Sequence, residues 1–349
     1  MSKRKLSKRQ AWRIDKIQRE RAARAAKRDS ELDGKLKAET DNNVPPDSAL
    51  GPEQEGLVIA HYGTQVEVEA CKQHPTNSSA RKRCHFRSNL GSLVTGDNII
   101  WRDAEPYGVV VAVQPRRSAL SRPDPYGDMK TVAANIDRLF VVIAPIPKPH
   151  TQLVDRYLVA AETLGITPVI IINKMDLVND NNAANIEKIV TLYSGIGYAV
   201  MQVSTIGGVD LSPLEACLKS YTSVFVGQSG VGKSSLINVL IPDLNLQVGA
   251  ISEANQKGVH TTTTAQLFHF PQGGHLIDSP GIRELGLWHM TSEEIIKGFV
   301  EFRPYIGQCK FRDCQHRQEP GCAIIKAYKA GKISEYRMSS FEALRSNSQ

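Results

Sequence analysis

Two groups of residues in this chain of 349 have the types and spacing to do chemistry. The first contains Gly227-Gln228-Ser229-Gly230-Val231-Gly232-Lys233-Ser234, a GxxxxGK[ST] run. Glycines at these spacings let the backbone curl until its N–H groups face phosphate oxygens, and a following helix adds its dipole. Lys233 would reach the β- and γ-phosphates, and the Ser234 hydroxyl would ligate Mg²⁺. Asn173-Lys174-Met175-Asp176 follows the apolar run TPVIII. A carboxylate at the end of a strand can accept from N1 and the 2-amino group of guanine. Adenine lacks that donor pair, so a buried Asp176 would be left unpaired and reject it. Val203-Ser204-Thr205 fits a short loop behind the base.

Asp278-Ser279-Pro280-Gly281 has the form of a DxxG turn, with Asp278 near Mg²⁺ through water and Gly281 near the γ-phosphate. Before it lies the polar stretch Gly258-Val259-His260-Thr261-Thr262-Thr263-Thr264, suited to a switch that completes the metal shell. Thr262 is the expected ligand, with the register among Thr261–Thr264 left open. Ile282 stands where Ras-like enzymes carry a water-orienting glutamine, so intrinsic hydrolysis should be slow. His260 could place or polarise the water instead, the other reading being a phosphate-loop or packing histidine.

The second group is Cys309-x4-Cys314-x-His316-x5-Cys322, three thiols and one imidazole. Four such ligands on short loops suit a closed tetrahedral Zn²⁺ site with no open position, hence a structural metal. Cys71, Cys84 and Cys217 are scattered and read as ordinary barrel or core residues.

The elements that must hold these groups follow from periodicity. Short strands GLVIAH, TQVEVEA, RCHFR, NIIW and GVVVAV lie at close spacing between turn signals, which suggests a small barrel of the OB type. Its loops carry Arg81-Lys82-Arg83, Arg87 and Arg116-Arg117, a basic surface of the kind that meets single-stranded nucleic acid. From about residue 135, buried strands alternate with helices, which argues for a parallel sheet covered on both faces. SVFVG leads directly into the glycine-rich run. The expected segments are 1–52, a basic tail and linker; 53–117, the barrel; 118–289, an α/β P-loop GTPase domain; and 290–349, a helical zinc-binding domain. NKMD and Ser204 precede the glycine-rich run, the reverse of the usual order. A circularly permuted chain builds the same site, because domain termini often lie close together.

Composition sets the limits. The chain is 41% apolar and 23% charged, with no apolar run long enough to cross a bilayer and no signal-peptide pattern. A cytoplasmic protein is expected, with neither DNA nor membrane as partner, and a monomer. Residues 1–28 hold twelve Lys/Arg and two acidic residues, a local +10 that leaves −3 for the rest of the +7 total. Such a tail either solubilises or neutralises phosphates, and the second reading is preferred.

The motifs NKMD, VST, GQSGVGKSS, GVHTTTT, DSPGIRELGLWH and C-x4-C-x-H-x5-C, together with the OB-like segment, resemble the RsgA (YjeQ) family. The resemblance covers about residues 50–345. It implies a GTPase that acts on the small ribosomal subunit and its rRNA late in maturation, with hydrolysis stimulated by the subunit. It also implies phosphate contacts through Ser235, zinc on Cys309, Cys314, His316 and Cys322, and His260 in place of the glutamine. The rival readings are a GTP-gated RNA-binding scaffold and a translation factor.

Overall fold

A computed structural model describes residues 50–71, 81–123, 128–207, 210–244, 265–278 and 290–346. The basic tail, the switch stretch with His260 and Thr262, and the DxxG turn after Asp278 lie outside these residues. The described chain forms two compact units.

The first unit is a closed barrel of β1 (Glu53–Tyr62), β2 (Gln65–Ala70), β3 (Arg81–Phe86), β4 (Asn98–Arg102) and β5 (Gly108–Val113). Pairing runs β1–β2–β3–β5–β4 and back to β1, with β3–β5 parallel and the other pairs antiparallel. This is the OB arrangement that the strand spacing predicts, and closure leaves no unpaired edge. Alternation decides which side chains enter: Val66 and Val68 are buried while Gln65 and Glu67 are half-exposed. The core gathers Val58, Val66, Val68, Cys84, Ile99, Trp101 and Val110. Gly56 and Gly108 make room for the indole, since a Cβ on either would lie within 3.0 Å of Trp101 atoms. Burial pushes the Cys84 thiol up to about 12. Cys71, by contrast, is exposed, because it sits just past the end of β2.

Several basic residues predicted to face nucleic acid are engaged in ion pairs or ring contacts. Lys82 meets Glu105 at 2.7 Å and Asp103 at 3.3 Å, and Arg83 lies over the Tyr62 ring. In the second unit, Arg116 grips the fully buried Asp97 through two bonds of 2.6 and 2.8 Å, and Arg117 pairs with Asp137.

The second unit is built on a sheet. A ribbon of β6 (Ala119–Pro123) and β7 (Met129–Ala134), not anticipated from the sequence, leads into β8 (Arg138–Ile143). Then follow α1 (Thr151–Leu164), β9 (Thr167–Ile172), α2 (Ala183–Ile196), β10 (Ala199–Gln202), α3 (Ser212–Leu218), β11 (Thr222–Val226), α4 (Lys233–Leu240), β12 (Gln266–His269) and β13 (His275–Asp278). The strand order β10-β9-β8-β11-β13 is parallel throughout, and β12 joins β13 antiparallel. The strands are almost wholly apolar, as expected where helices cover both faces. One core packs Phe140, Val142 and Phe225 against Leu214, Leu218, Leu236 and Leu240.

The C-terminal helices α5 (Ser292–Gly298), α6 (Ala323–Lys329) and α7 (Glu335–Ser346) belong to this same unit. Thr291 and Glu294 start α5 with a reciprocal capping box. Three contacts dock this region on α1. Gly298 lies so close to Val159 that a Cβ would come within 2.6 Å of its Cγ1. Arg303 reaches Glu162 at 2.6 Å. Arg337, with no exposed surface, bonds Asp155 at 2.5 Å and Glu301 at 2.5 Å, while Tyr193 donates to the same Asp155 oxygen at 2.8 Å. Burial alone would lower the Arg337 pKa; the Asp155 charge and the Glu301 bonds outweigh it and raise it. No helix among the described residues is long and apolar enough to cross a membrane.

Candidate functional site

From β8 the chain winds outward through β9 to β10, then returns to place β11 on the other side of β8. The carboxyl ends of β8 and β11 therefore flank a topological switch point, where open α/β sheets leave a crevice for ligands. The glycine-rich run Gly227–Gly232 leaves β11 at this point and ends at α4. Gly227 has φ 139°, and a Cβ there would lie 2.1 Å from the Val142 carbonyl of β8. Gly232 has φ 88°, and a Cβ there would come within 2.5 Å of Asn173 Nδ2. Both positions demand glycine, through backbone sign and close approach together.

Lys233 folds back over the loop, its Nζ donating to the carbonyls of Gly227 and Gln228, each at 2.7 Å. Its ammonium is thus held above the loop where a phosphate would lie. Gln228 braces the loop against the segment after β8: its Oε1 accepts from His150 N–H at 3.0 Å, and its Nε2 donates to Lys148 O at 3.2 Å. Val231 is buried in the core, so its side chain anchors the loop. Ser229, Ser234 and Ser235 bracket the start of α4. Tyr157 of α1, raised in pKa chiefly by burial, accepts from the Gly227 amide.

A second corner forms at the end of β9. Asn173 is fully buried and its Nδ2 donates to Val231 O at 3.0 Å, tying the NKMD turn to the glycine loop. Its Oδ1 has no hydrogen-bond partner within the described protein, a buried acceptor that suits a polar ligand. Lys174, in a left-handed conformation with φ 59°, donates to Gly230 O at 2.6 Å. Met175 N–H donates to Val203 O at 3.2 Å, which brings the two loops together. Ser204 Oγ then bonds the Asp176 carboxylate and accepts from Ile206 N–H at 3.1 Å. One serine therefore fixes the carboxylate that would read guanine. Asp278 ends β13, the parallel neighbour of β11, on the same carboxyl edge of the sheet.

The second group converges as well. One ligand atom from each of Cys309, Cys314, His316 and Cys322 lies within 4.8 Å of all the others. Tetrahedral zinc with ~2.3 Å Zn–S bonds sets sulfur–sulfur edges of about 3.8 Å. Cys309 Sγ and Cys322 Sγ lie 3.8 Å apart, and His316 Nδ1 lies 3.5 and 3.4 Å from them. The donor set and its spacing fit zinc. Ala323 N–H donates to Cys309 Sγ at 3.4 Å, tying the sulfur to the start of α6. Desolvation by burial and the neighbouring thiols push Cys314 up to about 12, against a lowering bond from the His316 amide. A bound dication reverses that balance, since a coordinating thiol gives up its proton.

Nearly the whole chain aligns with proteins called small ribosomal subunit biogenesis GTPase RsgA. The relative from Azotobacter vinelandii is 53% identical over 98% of this chain and 96% of its own length. That from Pseudomonas aeruginosa is 51% identical over the same shares. The model of the RsgA GTPase family matches residues 113–288. The chain belongs to the RsgA GTPase family. Among solved structures, YjeQ from Thermotoga maritima superposes with a TM-score of 0.71 at 30% identity, covering 85% of this chain and 98% of its own. The circularly permuted GTPase YloQ superposes at 0.68 and 27% identity, covering 87% and 97%. Both likenesses agree with the expected fold class, an OB-type barrel with a circularly permuted GTPase domain.

Against this RsgA frame, the structure brings Asn173–Asp176, Ser204, Gly227–Ser235 and Asp278 to one edge of one sheet. His260, Thr262 and Gly281 lie outside the described residues. Sequence reasoning passed over Tyr157 and Glu319. Tyr157 carries no local signal, being one apolar-face residue of an ordinary helix. Glu319 lies between His316 and Cys322 of the cluster, in a polar loop with no periodicity to single it out. Backbone amides, its own first and then those of Arg317, Gln315 and Gln318, hold its carboxyl down to about 2.

Proposed function

We propose that this RsgA-family chain binds GTP with Mg²⁺ and hydrolyses it while docked on the small ribosomal subunit, timing a late step of subunit maturation. The observation that carries this reading is the meeting of Lys233, Asn173 and the Ser204–Asp176 pair at one switch point. On binding, the Lys233 ammonium exchanges its two loop carbonyls for the β- and γ-phosphate oxygens. Amides of Gly227–Ser235 and the N-terminus of α4 cradle the phosphates. Asp176 accepts from N1 and the 2-amino group of guanine, and Lys174 and Met175 complete that turn. Ser234, with Thr262 and Asp278, would hold Mg²⁺, which neutralises charge developing on the phosphates. His260 orients the attacking water, and Gly281 senses the γ-phosphate.

In this reading the barrel, the basic tail and the zinc-bearing segment 290–349 bind rRNA, and the protein works as a cytoplasmic monomer with one structural Zn²⁺. The test is GTP turnover by the protein alone, with small subunits and with large subunits, using ATP as control. Stimulation by small subunits alone, with ATP inert, is expected; equal stimulation by both subunits overturns the assignment. Lys233→Ala should lower turnover roughly 10²–10³-fold, the loss seen when one transition-state donor is removed.

A further inference from the structure

We infer that Glu319 is the positioning residue of the metal knuckle, folding the ligand loop before metal arrives. The inference rests on Cys309, Cys314, His316 and Cys322 holding zinc. Between Cys314 and Cys322 the chain must turn sharply enough to bring His316 Nδ1 within 3.4 Å of a sulfur. It does so with His316 at φ 57°, a left-handed conformation uncommon for a residue with a side chain. Neither a helix nor a strand supports this turn, because α6 begins only at Ala323.

What the turn does have is one carboxylate at its centre. Glu319 Oε1 accepts from Gln315 N–H at 2.9 Å. Its Oε2 accepts from Arg317 N–H at 2.7 Å and from Gln318 N–H at 3.1 Å. Amides on both sides of His316 thus point at a single anion, a concave gathering of N–H groups. Two oxygens with about four lone pairs can accept all three bonds at once, which neither a hydroxyl nor an amide oxygen can do. Arg345 of α7 closes the far side by donating to Gln315 O. Glu319 touches none of the four ligands in these bonds; it acts on the backbone between them. Outer partners that orient metal ligands typically contribute about 10–100-fold to metal affinity.

The test titrates Co²⁺ and then Zn²⁺ into the metal-stripped full-length protein, comparing wild type with Glu319→Gln and Glu319→Ala. Glu342→Gln, which removes a carboxylate lining a surface groove together with Glu319, controls for lost charge. Both Glu319 variants should bind about 10–100-fold more weakly while keeping the wild-type tetrahedral Co²⁺ spectrum. Glu342→Gln should stay within about twofold. Equal affinity in wild type and the Glu319 variants overturns the inference and leaves the zinc reading standing. A wild type that takes up neither metal removes both. Should the variants fail to fold, amide exchange in stripped wild type decides the matter. Gln315, Arg317 and Gln318 should exchange more slowly than in an unstructured peptide, and exchange at the unstructured rate overturns the inference.

Discussion

The glycine-rich nucleotide cradle and the Cys/His knuckle are both loops that gather polar atoms, yet they keep their shapes by opposite means. The cradle hangs from the ends of β8, β9 and β11, strands buried on both faces, and its curvature is stored in Gly227 and Gly232, where a side chain does not fit. The knuckle has almost no apolar core of its own. Of its four ligands only Cys322 is buried, and loop shape comes from amides gathered on Glu319 and from the Arg345 clamp. A loop on a rigid sheet can wait empty for a substrate that comes and goes. A loop without a core relies on polar bonds such as those to Glu319, and on a permanent ligand, because burial does not repay the entropy of ordering it.

Removing metal should therefore separate the two regions most sharply. Stripping metal with a chelator should speed amide exchange around Cys309, Cys314 and Cys322, while Gln315, Arg317 and Gln318 keep part of their protection on Glu319 and guanine-nucleotide affinity stays within about twofold. Loss of nucleotide binding along with the knuckle would break the comparison. Within the cradle, the largest effect should come from Asp176→Asn. Replacing the carboxylate by an amide exchanges an acceptor for a donor and should shift preference from GTP towards xanthosine triphosphate, by on the order of 10⁴-fold. Competition binding of the two nucleotides reads this directly, and a variant that still prefers GTP would refute the role of Asp176.

The joint between the regions is α1, through Asp155 and Arg337. Arg337→Ala leaves a buried carboxylate unpaired and should cost about 3–5 kcal/mol in denaturant unfolding. The double variant Asp155→Leu/Arg337→Met should recover only part of that loss, because the Glu301 carboxylate and the Tyr193 hydroxyl then lose these partners. The smallest effect belongs to the barrel. Cys84 has its thiol raised by burial from near 9 to about 12. The buried neutral thiol therefore contributes stability that is complete below pH 9 and is lost as pH rises towards 12. Native protein at pH 8 should alkylate at Cys71 well before Cys84, with mass mapping as the readout.

Much of this was legible in the chain itself. Alternation at Val66 and Val68, apolar runs such as TPVIII and the GxxxxGK[ST] spacing each encode a local geometry that the structure contains. Periodicity missed the β6–β7 ribbon, whose strands are neither cleanly alternating nor wholly apolar, and the exposure of Cys71. The basic residues of the barrel region looked available by type. Their partners Glu105, Asp103, Asp97 and Asp137 lie 19 to 23 positions away, too far for a local pattern to pair them.

By itself the sequence determined residue types, their spacing and the permuted order of the motifs, because local backbone chemistry and strand periodicity act over a few residues. Tertiary structure alone decided that one serine would fix Asp176, that Tyr157 would meet the glycine loop, and that Arg337 would reach Asp155 across 182 positions. Those pairings depend on which strand ends and helix faces come together, and the free energy that selects them belongs to the packed sheet, not to any segment of it.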